Sequence, residues 1–159
     1  MSGIVKLSEA SSIALHAMAL LASEGDRRVG VKDLASLLPV SEAHLAKVMQ
    51  RLVKAGMVAS VRGPGGGFTL RADPAVTTLL QIYEAIEGRL VVADCMFPAR
   101  PAACSACILD DALIEANRIV YTRLARTHLS QFITTIRPGA SFVALGRPKP
   151  ARPPPPPRA

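Results

Sequence analysis

The chain has 159 residues, of which 50% are hydrophobic and only 4% aromatic, and its formal net charge at pH 7 is +7. This length allows one ordinary core or two small ones. A core with so few large rings favours packed helices over a β-sandwich, so the sequence predicts a mostly α-helical protein. The three dispersed histidines, with no nucleophile–base pair in the sequence, argue against an enzyme.

The positive charge is distributed unevenly along the chain. Residues 27–71 contain eight Lys or Arg side chains against two acidic ones, whereas residues 81–115 contain two basic and six acidic side chains. The last thirteen residues add four positive charges and no acid. A basic segment of this kind attracts polyanions, nucleic acid first among them, although charge alone also fits an ordinary solvated surface.

The first predicted element is a buried helix over residues 13–22, IALHAMALLA. Its apolar residues recur at spacings of three and four, and Gly25 follows as a stop signal. The same run resembles the apolar part of a signal peptide, but His16 interrupts it and it is far too short to span a bilayer. We therefore expect a cytoplasmic protein with reduced thiols and no membrane association.

A helix-turn-helix is predicted next. Leu34, Ala35 and Leu38 form one apolar face before Pro39, and Ser41 is a good N-cap for a second helix. The apolar positions of the second helix are Leu45, Val48, Met49, Leu52 and Val53. In such a pair the second helix presents its outward side chains to the major groove of DNA. Those outward residues are Glu42, Ala43, His44, Ala46, Lys47, Gln50, Arg51 and Lys54.

A hairpin with a glycine-rich tip follows the second helix. The apolar runs MVASV and FTLR flank the sequence RGPGGG. Gly65, Gly66 and Gly67 permit positive φ and a close approach of the backbone to a phosphate, and Arg62 is placed to reach the minor groove. Directly after a helix-turn-helix, this hairpin indicates the wing of a winged helix.

Two more helices are predicted before the last, short one. A fourth helix follows Asp73 and Pro74 and stops at Gly88. After Cys107, apolar residues from Leu109 to Thr127 recur by threes and fours, as in a helix packed against a partner helix. That partner is either a second copy of the chain, because DNA sites are commonly two-fold symmetric, or the chain's own domain.

The C-terminal part is predicted to contain little more regular structure. Ser130 is placed to cap a short last helix that reaches about Ile136. Beyond Pro138 the chain becomes Pro-rich, and we expect residues 138–159 to form a disordered tail with polyproline character.

The stretch SEAHLAKVMQRLVKAGMVASVRGPGGGFTL, followed by TTLLQIYEAIEG and a cysteine cluster, resembles the Rrf-type transcriptional regulators, the group that contains IscR, NsrR and RirA. The resemblance covers about residues 5–136. It implies a dimeric winged-helix protein, usually a repressor, in which three cysteines after the fourth helix bind an iron–sulfur cluster. It also implies DNA contacts from Ser41, Ala43, His44, Lys47 and Arg62.

All three cysteines, Cys95, Cys104 and Cys107, lie in the stretch CMFPARPAACSAC. Thiolates hold iron–sulfur clusters, and the closely spaced Cys104 and Cys107 also suit zinc, although no histidine lies nearby. Asp110, three residues after Cys107, is a candidate fourth ligand. A carboxylate there is also favoured simply by the helix dipole. Glu9 and Ser12 of the partner chain are further candidates.

Two alternatives to an iron–sulfur cluster give the cysteines another role. Direct oxidation joins Cys104 and Cys107 in a disulfide that controls DNA binding. In the other alternative, the chain is a small metal or redox carrier whose basic surface meets an acidic protein. The wing and the recognition helix argue against the carrier, because neither is needed for electron transfer.

The predicted organisation has four parts: a winged helix-turn-helix domain over residues 1–90, a cysteine loop over 91–107, a dimerisation helix with a short terminal helix over 108–137, and the tail. The predicted function is a homodimeric DNA-binding regulator whose affinity for a pseudo-palindromic operator depends on a two-iron or four-iron cluster that senses redox, nitric oxide or iron status. Arg51, Gly65 and Gly66 complete the predicted DNA contacts.

Overall fold

The computed structural model describes residues 7–92, 101–105, 108–109 and 111–133, with Phe132 described by its backbone alone. These residues form a mostly helical fold with one small sheet, which confirms the predicted fold class. The helices are α1 (Glu9–Ser23), α2 (Val31–Leu37), α3 (Glu42–Lys54), α4 (Leu79–Glu87), α5 (Ala112–Arg126) and α6 (Leu129–Ile133), and the strands are β1 (Val58–Val61) and β2 (Gly67–Leu70).

Helix α1 forms the centre of the core. Nine of its fifteen residues are buried, and it packs against α3, α4, α6 and β2. The Ser8 hydroxyl accepts the Ser11 N–H at 3.0 Å and contacts a carboxylate oxygen of Glu87 at 2.6 Å, so the cap also ties α1 to the end of α4. The buried helix is as predicted. In the described part of the chain, no helix has the length and apolarity that a membrane crossing needs.

Helices α2 and α3 form the predicted helix-turn-helix. The Ser41 side chain accepts the N–H of His44 at 3.2 Å, so Ser41 is the N-cap of α3. Leu38 lies outside α2, because the helix ends at Leu37 and Leu38 has an extended backbone. The buried face of α3 consists of Leu45, Val48, Met49 and Leu52. This face holds the second helix to the core and leaves its other side exposed.

The predicted hairpin is present and is anchored to the core. Strands β1 and β2 are antiparallel, with Val58 opposite Leu70 and a register that runs to the glycine tip. Val29 exchanges two backbone hydrogen bonds with Phe68, at 2.9 and 2.8 Å, and so adds a short third partner to the sheet. Because Phe68 and Val58 are buried, the base of the hairpin is fixed while its tip is exposed.

Helix α4 begins later than the sequence suggests. Asp73 accepts the N–H of Ala75 at 2.8 Å in a turn, and the helix starts after Thr78, which forms a capping box with Gln81. On the side of α4 near α5, burial raises the pKa of Tyr83 above its ordinary value of 10.0, and the Glu87 carboxylate adds to this effect. The phenol therefore stays protonated near neutral pH.

Helix α5 is shorter than the sequence predicts, because the predicted helix starts soon after Cys107. It begins at Ala112, with Asp111 at the N-cap, and its fifteen residues equal α1 in length. Leu124 is buried and Val120 packs against the core, so this part of the predicted apolar stripe packs within the chain. Of the two partners that the sequence allowed for this helix, the chain's own domain is therefore the partner of the C-terminal half of the apolar stripe.

Helix α6 begins one residue before its predicted cap. Ser130 lies inside the helix, and the side chain of Gln131 accepts the His128 N–H at 3.2 Å. The fully buried Leu129 donates its N–H to Thr77 at 2.8 Å, which joins α6 to the start of α4. The tertiary bond of Leu129 and the local contact of Gln131 together support a helix start one residue before Ser130. The predicted end near Ile136 and the Pro-rich tail lie outside the described residues.

Candidate nucleic-acid interface

The exposed side of α3 gathers the predicted recognition residues. Because the buried side chains occupy the opposite face, the outward positions point away from the core. Ser41, Glu42, Ala43, Lys47, Gln50, Arg51 and Lys54 are exposed, and His44 and Ala46 are half-buried. The Ser41 hydroxyl oxygen accepts a backbone N–H, which leaves its hydrogen able to be donated to a phosphate.

The charge of this surface is positive. Lys47 and Lys54 are exposed on α3 and Arg62 is exposed in the wing. None of the three forms an ion pair with any described residue. The one acidic residue of α3, Glu42, lies in its first turn, where the helix dipole favours a carboxylate. Three cations that form no ion pair with a described residue, on α3 and in the adjacent wing, form a surface suited to a polyanion.

His44 contacts a residue that the sequence did not indicate as its neighbour. Its Nδ1 lies 3.8 Å from Oε2 of Glu9, at the start of α1. The sequence named Glu9 only as a possible ligand from a partner chain. The two residues are far apart in sequence, so no local signal pairs them. The carboxylate places a negative charge beside a predicted base-reading position.

Arg51 has a tertiary contact of its own. Its guanidinium donates a hydrogen bond to the backbone carbonyl of Ile86, in the last turn of α4. A cation at a helix C-terminus is favoured both by the free carbonyls and by the helix dipole. The structure thus uses Arg51 to join α3 to α4, a role that the basic character of the segment did not reveal.

The wing tip depends on its glycines for two different reasons. Gly63 and Gly65 have φ of +100° and +70°, a region that other residues rarely adopt. At Gly66 the backbone is ordinary, but an added Cβ would lie 2.5 Å from the Val61 carbonyl oxygen and 2.8 Å from that of Gly63. Arg28, which sequence reasoning did not single out, donates to the Gly65 carbonyl at 3.3 Å and supports the tip.

The predicted cluster ligands are described only in part. Cys104 is exposed and forms no disulfide, and its N–H donates to the Pro101 carbonyl at 2.9 Å. Cys95, Cys107 and Asp110 lie outside the described residues. Over the ranges that the structure does describe, no three His, Cys, Asp or Glu side chains are grouped as a metal site. Glu9 and Ser12 line a cleft of about 230 Å³ beside the turn before α3.

Comparisons with known proteins agree with this architecture. The family model Rrf2, described as an iron-dependent transcriptional regulator, matches residues 7–135. The chain is 40% identical over 83 residues to the HTH-type transcriptional regulator BadM of Rhodopseudomonas palustris, an alignment that covers 52% of this chain and 53% of BadM. It is 30% identical over 122 residues to the HTH-type transcriptional repressor NsrR of Streptomyces coelicolor, covering 76% of this chain and 82% of that protein.

A solved structure extends the likeness beyond sequence. CymR, the global cysteine regulator of Bacillus subtilis, is similar to this chain with a TM-score of 0.66 and 26% identity, over 84% of this chain and 100% of CymR. The chain spans about half the length of BadM but nearly all of CymR. The likeness therefore covers the regions on both sides of the cysteines and not the helix-turn-helix alone.

Proposed function

Since the chain belongs to the Rrf2 family of transcriptional regulators, we propose that it is a homodimeric DNA-binding repressor whose operator affinity is controlled by an iron–sulfur cluster at Cys95, Cys104 and Cys107. Transcription regulation is common to the relatives, which are regulators and not enzymes. The observation that carries the proposal is the exposed cationic face of α3 next to a glycine-tipped wing.

We assign the DNA contacts by the chemistry of each side chain. Ala43, His44 and Lys47 lie in the first turns of α3 and are assigned to the major groove, where base edges are read. Ser41, the N-cap of α3, is assigned to a phosphate beside that groove. Arg62 is assigned to the minor groove. The exposed Lys54 and the backbone N–H of Gly65 are assigned to phosphates, whereas the N–H of Gly66 is already donated to the Gly63 carbonyl at 2.8 Å. Arg51 contributes to the positive field, while its guanidinium is held by Ile86.

Phosphate contacts predict a steep dependence of affinity on salt. In Lys54→Ala, the slope of log affinity against log salt on a random-sequence duplex should fall in magnitude by about 1 for each bound chain. Arg89→Ala is the matched control, because Arg89 is an exposed cation outside the basic segment. Fluorescence anisotropy over a salt series measures both slopes. Equal slopes in all three proteins would remove Lys54 from the DNA surface.

Cys104, the one cysteine within the described residues, has the chemistry that the proposed cluster requires. Cys104 presents an exposed thiol, and a deprotonated thiol is a ligand for iron in such clusters. Cys95 and Cys107 would be the other thiolate ligands, and Asp110 or a residue of the partner subunit would be the fourth. When bound, the cluster supplies a centre that reacts with oxidants and nitric oxide. These residues would bind and orient the cluster.

Coupling between this region and the operator follows from chain connectivity. Residues 101–105 precede α5, and α5 packs on α4, whose last turn is bound by Arg51 of the recognition helix. A change in how the cysteine region is held can therefore alter the separation of two recognition helices in a dimer. By linkage, the operator must favour whichever state binds it better, with the same free energy in both directions.

The proposal is tested optically. The protein, purified without oxygen, should show visible charge-transfer absorption with matched iron and acid-labile sulfide, and Cys104→Ala should lose both. Ser105→Ala is the control for a neighbouring change that removes no thiol. The loaded and cluster-free forms should then differ in affinity for a duplex selected by the protein from a random library. Equal affinities would end the cluster proposal even if the cluster is present.

The exposed Cys104 thiol also favours a second candidate function, direct thiol sensing. Peroxide would oxidise the Cys104 and Cys107 thiols to a disulfide, with loss of two protons and transfer of two electrons that reduce the peroxide to water. A cluster-free protein that loses two thiols and changes its DNA affinity on peroxide treatment, and recovers both with dithiothreitol, would establish this candidate. An unchanged affinity after loss of the thiols would exclude it.

A further inference from the structure

The connection between α1 and α2 runs along one edge of the wing. Val29 exchanges backbone hydrogen bonds with Phe68 in β2, and β1 occupies the other edge of that strand. Strand β2 therefore lies between β1 and this connection. Because Val29 is only 2% exposed and Phe68 is also buried, the connection is fixed at this point. The residue before Val29 is thereby placed beside the tip of the hairpin.

That residue, Arg28, lies against the wing backbone. A Cβ added at Gly67 would lie 3.1 Å from Cγ of Arg28, so the arginine stem runs beside the first residue of β2. Its guanidinium reaches the Gly65 carbonyl oxygen, to which it donates one hydrogen bond at 3.3 Å. A guanidinium carries five N–H donors in a planar fork, so one hydrogen bond leaves most of the fork available to another acceptor.

The charge of Arg28 is also available, unlike that of its neighbour. Arg27 lies 2.8 Å from a carboxylate oxygen of Glu24, so its charge is paired at the end of α1. Arg28 is exposed and forms no ion pair with any residue that the structure describes. The exposed Arg62 follows β1 directly, whereas Arg28 lies along the outer edge of β2. The wing tip therefore has a cation on either edge.

We propose that Arg28 binds a phosphate of the DNA backbone beside the wing tip. The forked donors of a guanidinium match the oxygens of a phosphodiester, and such charge-assisted contacts are strong. The hydrogen bond to Gly65 holds the guanidinium at the tip and not within a groove, which favours a phosphate over a base edge. The inference rests on the DNA binding of the proposed function. It adds to that interface a contact from outside the helix-turn-helix and the wing.

The salt dependence of DNA binding tests the charge of the site. Arg28→Ala should weaken binding to a random-sequence duplex by about tenfold and lower the slope of log affinity against log salt by about 1 for each bound chain. Arg27→Ala is the matched control, because it removes the same charge one residue away from a side chain paired with Glu24. Its affinity should stay within about twofold of the wild type, with an unchanged slope. Fluorescence anisotropy measures both quantities, and circular dichroism verifies that each variant is folded.

A second experiment separates a phosphate contact from a mere brace of the wing tip. Neutral methylphosphonates replace the phosphates of a selected duplex one at a time. At the phosphate that Arg28 binds, the replacement should weaken wild-type binding by about tenfold but that of Arg28→Ala by less than about twofold. The effects at all other phosphates should be the same in both proteins.

Two results would overturn the phosphate site. One is an Arg28→Ala protein whose salt slope equals that of the wild type. The other is a variant that binds more weakly while every phosphate keeps its wild-type effect, since Arg28 would then act only by holding Gly65. A wild-type protein that binds no duplex at all would overturn the DNA binding of the proposed function itself, and the site with it.

Discussion

Replacing Gly66 with alanine is expected to weaken DNA binding by about tenfold to hundredfold, equivalent to losing contacts worth roughly 1–3 kcal/mol. The added Cβ would lie 2.5 Å from the Val61 carbonyl oxygen and 2.8 Å from the Gly63 carbonyl oxygen. Both are backbone atoms, so the wing tip must change its course to accommodate the methyl group. The base of the hairpin stays in place because Val58 and Phe68 are buried.

The control for this substitution is Gly30→Ala. There the nearest atom to an added Cβ is a side-chain oxygen of Asp33 at 3.2 Å, which is free to move, and the backbone φ of Gly30 is −70°. Affinity should stay within about twofold of the wild type, because Gly30 caps α2 and an alanine cap costs at most about 1 kcal/mol of stability. A Gly66→Ala protein that binds a duplex as tightly as the wild type would show that the wing tip makes no DNA contact.

Leu52→Ala should lower the free energy of unfolding by about 2–5 kcal/mol. Leu52 is fully buried on the inner face of α3, where it belongs to the common core. Removing its isobutyl group loses the transfer free energy of the buried atoms and leaves a cavity that the helices cannot fully close. A loss of this size is a large fraction of the stability of an ordinary domain. Urea unfolding followed by circular dichroism measures it.

The control for Leu52→Ala is a leucine-to-alanine substitution at an exposed position. Leu109→Ala removes a side chain that is 44% exposed, and the expected loss is below about 1 kcal/mol. At low temperature, where Leu52→Ala is still folded, its DNA affinity should equal that of the wild type, since Leu52 lies on the face away from the DNA surface. Losses of equal size at the two positions would contradict the placement of Leu52 in the core.

The sequence by itself determined the winged helix, because its signals are local. The helical spacing of Leu45, Val48, Met49 and Leu52, the Ser41 cap and the glycine tip each act over a few residues, and the structure has all of them. Where the sequence predicted the start of a helix wrongly, as at α4, two local signals compete for that start. Asp73 and Pro74 start a turn, while the capping box at Thr78 starts α4 itself.

Only the tertiary structure decided which predicted residues are available for function. The contacts of Arg51 with Ile86, Arg28 with Gly65, and Glu9 with His44 each join residues at least 35 positions apart. No local rule pairs them, because they come together only when the helices pack. The same packing buried Leu124 and left Ile119 exposed on α5, so one helical sequence acquired an inner and an outer face. Spacing alone predicts that an amphipathic helix has such faces, whereas which neighbour covers each face depends on how the whole chain buries its apolar surface.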